Sequence, residues 1–196
     1  MDIKIYGHKL SRAFRVLWML EELGLNYVSY PTQPHTEELL KLSPKGKIPV
    51  AVVDSEVITD STAILTYLAE SNSSFTFPAG TFARAKQDSL TFMLLDELET
   101  CVWNAAKHSF ILPSEKRVSS LKPTLKWEFS QSLEKIATHM NLENFLMGEI
   151  MTIPDFILIH CLDWSKAAKF KEFPEAISNY HSRMVQRPAY QKVADS

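Results

Sequence analysis

The sequence predicts an α/β unit of element order β-α-β-α-β-β-α followed by an all-helical domain. Three observations carry that prediction. The first is a strand–helix–strand pattern in the opening thirty or so residues. The second is a pair of short apolar runs, Val50 to Val53 and Val57 to Ile58, that flank the polar break Asp54-Ser55-Glu56 and read as a tight hairpin. The third is a polar, turn-rich connector after which no strand pattern competes with helical periodicity.

In chain order, Ile3-Lys4-Ile5-Tyr6 alternates as a strand does, and Gly7 to Leu10 break it. Ser11 is placed to cap a helix whose apolar positions Phe14, Val16, Leu17, Trp18, Leu20 and Leu23 make a broad face, with Gly24 as its stop. Tyr27 to Tyr30 forms the next strand, and a βαβ unit of this kind packs with its strands parallel. Pro31 and Pro34 mark a loop, Thr36 to Leu42 a short helix, and Ser43-Pro44 its end. The hairpin follows. Then Thr59, Asp60 and Ser61, all good capping types, introduce a helix through Leu68. These elements define a domain over residues 1–75, a linker at 76–81 and a helical domain over 82–196. In the last, a long helix is expected from Thr81 to about His108. Further helices are expected near Lys122 to Met140, Pro154 to Lys169 and Pro174 to Val185, with Pro113 as an interruption.

The chain has 196 residues, a formal net charge of -2 and 45% hydrophobic residues, so no basic patch argues for nucleic acid or an anionic membrane as partner. No apolar run is long enough to span a bilayer, and the opening MDIKIYG lacks the regions of a signal peptide, which makes the cytoplasm the expected compartment. Cys101 and Cys161 lie far apart in apolar helical surroundings and read as buried hydrophobes; no metal-binding spacing, phosphate loop or dinucleotide fingerprint is present, and no metal is expected.

The candidate site begins at Ile48-Pro49, where a proline at a strand entry leaves backbone groups for something other than a neighbouring strand. Asp60 and Ser61 sit at a helix N-terminus, whose free N–H groups suit a carboxylate; with the acidic side chain beside it, such a terminus can hold both charges of an α-amino acid. The simpler account is that they cap the helix. Ser11 lies between the first strand and first helix, where α/β sheets place ligands. Without a charged relay or a Gly-x-Ser-x-Gly elbow it is no hydrolase nucleophile, but its hydroxyl can donate to a ligand thiol and favour the thiolate. An ordinary cap explains the same residue. Tyr6 is the rival hydroxyl, of undecided direction. Lys47 can meet a second carboxylate on the same ligand, and His8, His35 and His108 are scattered. Thr152-Ile153-Pro154-Asp155 has the form of a capping box and is read as structural.

Four stretches, IKIYGHKLSRAFRVLWMLEELGL, LSPKGKIPVAVVDSEVITDSTAILTYL, FLMGEIMTIPDF and FPEAISNYHSRMVQRPAY, occur in an order and spacing that together resemble the cytosolic glutathione transferase family. The resemblance implies a thioredoxin-like N-terminal domain, an all-helical C-terminal domain and glutathione as co-substrate, with no metal. It implies a cis Pro49, with the Ile48 backbone on the cysteinyl part of glutathione, Asp60 and Ser61 on its γ-glutamyl end, and Lys47 and His35 on its glycine carboxylate. The N-terminal segment is similar to the serine-using, bacterial and theta-like types, so Ser11 is carried over as the hydroxyl that stabilises the thiolate. Leu10 stands where cysteine-using relatives place a thiol, the Ser-Ser-Cys pattern of maleylacetoacetate isomerase relatives is absent, and Asp60 replaces a more frequent Glu. The implied activity is conjugation of glutathione to small apolar electrophiles, a detoxification chemistry, with His8, Leu10, Trp103, Lys107 and His108 around the electrophile between the domains. A homodimer with the long helix at its interface is also implied. Glutathione-dependent hydroperoxide reduction and a non-catalytic binding or regulatory protein of the same fold are the alternatives.

Overall fold

β1 (Ile3–Tyr6), β2 (Val28–Tyr30), β3 (Val50–Val53) and β4 (Glu56–Thr59) form one sheet of order β2-β1-β3-β4 in a computed structural model that describes residues 1–140, 142–170 and 172–196. β1 runs parallel to β2 and antiparallel to β3, and β3 pairs antiparallel with β4. The expected hairpin is therefore present, and the antiparallel register places Tyr6 opposite Val50. Ile3 and Ile5 alternate with Lys4 and Tyr6, so one face of β1 is buried and the other partly open. Helices α1 (Ala13–Glu22) and α3 (Ser61–Ser71) bury Val16, Leu17, Trp18, Leu20, Ile64, Leu65 and Leu68, each side chain worth roughly 1.5–3 kcal/mol when removed from water. The short α2 (Glu37–Leu42) starts at Thr36, whose hydroxyl accepts the Leu39 N–H. This is the thioredoxin-like arrangement that the resemblance implies.

This unit comprises Met1–Pro78 together with Val185–Ser196. Its returning segment carries a helix over Pro188–Asp195, absent from the sequence prediction, which packs along α1. Tyr190 meets Phe14 and Trp18 edge to face at 5.0 and 5.3 Å between ring centroids. Arg187 grips Glu22 through two nitrogens at 2.6 and 2.7 Å, and Lys192 donates to Glu21 at 2.7 Å. Lys9, in the loop before α1, donates to the carbonyls of Ala194 and Ser196. The domain expected over 82–196 thus gives up its final twelve residues to the first unit.

The second unit, Ala79–Met184, is helical. The long helix expected from Thr81 runs from α4 (Phe82–Met93) through a π-helical stretch (Leu94–Glu99) and α5 (Thr100–Ala106) into a second π-helical stretch (Lys107–Ile111). Thr81 caps it by accepting the Arg84 N–H. α6 (Lys122–His139), α7 (Ile153–Ala167) and α8 (Glu175–Val185) follow, and α9 (Pro188–Asp195) is the helix that joins the first unit. Every residue from Ile153 to Leu162 is buried, so the first ten residues of α7 lie in the core of the unit. Among the described residues no helix is long and apolar enough to cross a membrane.

The capping box at α7 is present and is more than a cap. Asp155 is fully buried; its Oδ2 accepts from the Thr152 N–H at 2.7 Å and the Thr152 hydroxyl at 3.1 Å, while Oδ1 accepts from the Leu146 N–H at 2.9 Å and from the Tyr180 hydroxyl. Burial pushes its carboxyl above the usual carboxylate range, and the donors from Leu146, Tyr180 and Thr152 pull the other way. One side chain therefore ties the start of α7 to the preceding loop and to α8. An ordinary helix cap is worth about 1 kcal/mol. Asp155→Ala, which strands several buried donors at once, is expected to cost at least about 3 kcal/mol, read as a lowered midpoint of denaturant unfolding. A loss of only cap size would show that Leu146 and Tyr180 take no support from it.

Candidate functional site

Three segments converge where β1 ends. The Gly7 N–H donates to the Tyr30 carbonyl at 2.9 Å. A Cβ on Gly7 would stand 3.0 Å from the Ala13 Cβ, 3.3 Å from the Ile48 Cβ and 3.5 Å from the Pro49 Cα. The backbone here also has φ +149°. Only a residue without a side chain lets the end of β1, the start of α1 and the Ile48-Pro49 segment come this close. The Ile48–Pro49 peptide is cis, as the resemblance implies. Pro49 is buried and Ile48 half-buried.

Ser11 is half-buried in the turn that follows Gly7. Its Oγ donates to the His8 carbonyl at 2.7 Å and accepts the Ala13 N–H at 3.1 Å, while its own N–H also reaches the His8 carbonyl. Arg12, not Ser11, occupies the N-cap position of α1. The hydroxyl stitches the turn to the helix, and its proton points at a backbone carbonyl. To donate to a ligand sulfur its proton must swing off the His8 oxygen, a rotation about the Cβ–Oγ bond. Tyr6, the rival, lies on the open face of β1 with its ring stacked on Tyr30, 4.8 Å between centroids at 12°. Burial first, then Tyr30 and Glu38, raises its phenol above the usual value, so it stays protonated at neutral pH.

At the start of α3, Asp60 is exposed and takes φ +73°, rare for a residue with a side chain, while its Oδ1 accepts the N–H groups of Thr62 and Ala63 at 2.8 and 3.2 Å. The capping account of Asp60 therefore describes what its carboxylate does here. Ser61 behaves differently. It is buried, and its Oγ accepts from Arg15 Nη2 at 2.6 Å and Nε at 3.2 Å; the same Nη2 lies 3.4 Å from the Thr62 hydroxyl. Arg15 itself is 1% exposed. The sequence reading passed over it. A guanidinium set beneath the first turn of α3 adds fixed positive charge to a helix N-terminus that already favours a carboxylate. The available signal was an arginine inside the otherwise apolar run Phe14 to Leu20, a position where a charge is seldom buried without a task.

His35 and Lys47 are brought into one loop cluster. The His35 N–H donates to the Gly46 carbonyl at 2.8 Å, and a Cβ on Gly46 would fall 2.4 Å from the His35 Nδ1. Glycine at 46, at φ +58°, is thus what lets the imidazole approach the backbone just before Lys47 so closely. Both side chains are exposed. In the same unit His8 is half-buried and Leu10 is 89% exposed. In the second unit the Lys107 ammonium sits 6.0 Å from the Trp103 ring centroid, Trp103 packs edge-on against Trp164 at 6.2 Å, and the His108 Nδ1 accepts the Val118 N–H at 3.1 Å. His108 is thereby engaged in holding the loop after the long helix. Cys101, pushed up to about 11 by burial and then by Glu128, Glu97 and Asp96, stays a thiol and is no nucleophile.

A sequence profile of the glutathione S-transferase N-terminal domain matches residues 11–71. Glutathione S-transferase GstA of Escherichia coli O157:H7 is 26% identical over 161 residues, which is 79% of this chain and 76% of that protein. Probable elongation factor 1-gamma 2 of Arabidopsis thaliana is 28% identical over 168 residues, 80% of this chain but 38% of that protein. Among solved structures, glutathione transferase URE2P6 from Phanerochaete chrysosporium, in complex with oxidized glutathione, superposes with a TM-score of 0.85 at 24% identity, covering 99% of this chain and 95% of that one. Residues 11–71 therefore match the glutathione S-transferase N-terminal domain, and the chain has the fold of the solved glutathione transferase URE2P6.

The Arg15–Ser61 contact is open to direct measurement. Ser61→Ala removes an acceptor from a buried guanidinium and is expected to cost about 1–3 kcal/mol in denaturant unfolding, with Ser61→Thr losing less. Equal stability of Ser61→Ala and the parent would show that Arg15 is held without Ser61.

Proposed function

We propose that the chain is a glutathione transferase that binds glutathione on its thioredoxin-like unit and conjugates its thiolate to small apolar electrophiles. The observation that carries this reading is the packing at Gly7, which sets the Ile48-Pro49 backbone against the turn holding Ser11. A peptide-like ligand lying along Ile48 would put its sulfur near that turn. Its γ-glutamyl carboxylate would meet the first turn of α3 above Arg15 and Ser61, and its amine the exposed Asp60. Its glycine carboxylate would meet Lys47 and His35. Ser11, turned from His8, would donate to the sulfur, helped by the N-terminal end of α1, and so lower the pKa of the bound thiol. His8 and Leu10 in the first unit, and Trp103, Lys107 and His108 in the second, are the groups we assign to the electrophile. The chemistry then rests on a prepared thiolate and proximity, with no covalent protein intermediate. Work in the cytoplasm, a role in detoxification and homodimerisation belong to the same reading; Phe82 and Phe92, 90% and 65% exposed on α4, offer apolar surface to a second copy.

Two other readings stay in play. Hydroperoxide reduction would use the same thiolate. A binding or regulatory role without catalysis is favoured by one observation, the Ser11 proton committed to the His8 carbonyl, and it accords with the likeness to a probable elongation factor subunit. Kinetics separate the three. With glutathione and a panel of aryl halides, epoxides, enals and hydroperoxides, Ser11→Ala is expected to lower kcat about 100-fold while the glutathione Kd changes little. Turnover of peroxides alone selects the second reading. Millimolar binding without turnover selects the third, and no binding at millimolar glutathione ends the transferase reading.

A further inference from the structure

Glu99 closes the π-helical stretch Leu94–Glu99, and there Leu98 and Glu99, adjacent in sequence, are both buried. His160 and Cys161 lie side by side on α7, 8% and 0% exposed. A Glu99 carboxylate oxygen, a His160 ring nitrogen and the Cys161 sulfur all fall within 4.8 Å of one another. We propose that these three side chains, all in the second unit, bind one borderline-soft divalent cation of the Zn²⁺ type.

The donor chemistry selects the ion. Carboxylate oxygen, imidazole nitrogen and thiolate sulfur are the three ligand types tetrahedral Zn²⁺ takes, and the mixture suits neither Ca²⁺ nor Mg²⁺. Zinc–ligand bonds of about 2.0–2.3 Å set ligand atoms roughly 3.3–3.8 Å apart, so the observed cluster needs to contract by only about 1 Å. That is within the reach of side-chain rotation. A water completes the fourth position. Two further features fit. Single π-helical turns within α-helices recur at functional sites, and this one ends on the proposed ligand. A bound ion would also clamp the long helix to α7, against which it packs. The sequence reading expected no metal because Glu99 is remote in sequence from the other two and an adjacent His-Cys pair matches no familiar ligand spacing.

Co²⁺ is the probe, since its thiolate complexes absorb in the near ultraviolet and it quenches nearby tryptophan; the Trp164 ring lies 5.7 Å from that of His160. The full-length chain, stripped by chelator in denaturant so that the closed site can fill during folding, is refolded with one equivalent of Co²⁺ and desalted. The expected result is one cobalt per chain, a thiolate-to-cobalt absorption band and reduced tryptophan emission. The band is expected to vanish in Cys161→Ser, and the affinity to fall at least about tenfold in His160→Gln and Glu99→Gln. Circular dichroism checks that each variant is folded; Cys161→Ala carries the same expectation if Cys161→Ser does not fold. A refolded parent chain that retains no cobalt, or a band that persists in both Cys161 variants, overturns the proposal.

Discussion

The approach of three backbones at Gly7 is the constraint on which the rest of the first unit depends. Antiparallel pairing of β1 with β3 sets Tyr6 against Val50, so the residue after Tyr6 must face the residue before Val50, which is Pro49. The first turn of α1 then arrives on the same spot, with the Ala13 Cβ 3.0 Å from where a Gly7 side chain would begin. Every functional assignment in this unit inherits its geometry from that crossing. Ser11 is held where it is because the turn from Gly7 to Ala13 is short and doubly bonded to the His8 carbonyl. Ile48 is presented because Pro49 and Val50 are fixed at the start of the interior strand β3 in the same contact.

α1 acts as the spine of the arrangement, and each of its sides carries a different connection. Its leading turn holds Ser11. One turn on, Arg15 points inward to Ser61 and couples the start of α1 to the start of α3, so that the two helix ends proposed to receive opposite parts of one ligand cannot shift independently. The remaining side is covered by α9 through Phe14, Trp18, Glu21 and Glu22. Exposed ion pairs contribute little individually. Glu22 is different, at 9% side-chain exposure, bound by two Arg187 nitrogens and by the Trp18 indole at 2.9 Å, which makes the α9 contact a packed junction rather than a surface decoration.

The parts legible in the sequence were those with local signals. Alternation in Ile3 to Tyr6, the polar break at Asp54-Ser55-Glu56 and the capping types before α3 gave elements close to those observed, and the Thr-x-x-Asp box before Phe156 was visible for the same reason. What escaped had its cause elsewhere in the chain. The last expected helix stopped at Val185, yet proline is well suited to the first turn of a new helix, and α9 begins on Pro188. Arg15 was passed over because its acceptor, Ser61, lies 46 residues further on. Asp155 read as a cap because the donors from Leu146 and Tyr180 come from outside its helix. The same applies to the candidate site: Ile48, Pro49, Asp60 and Ser61 stood out by residue type, whereas the Ser11 proton's bond to the His8 carbonyl, with which a ligand at the proposed site would compete, is a property of the folded turn alone.

That competition is the point on which the functional account turns. Glutathione bound to the chain can be followed by the ultraviolet absorption of its thiolate as pH is raised, in the parent and in Ser11→Ala. The account predicts a bound thiol that ionises well below the free one, with the midpoint moving back toward the free value when the hydroxyl is removed. A bound thiol that titrates like free glutathione in the parent, or a midpoint indifferent to Ser11, would contradict it.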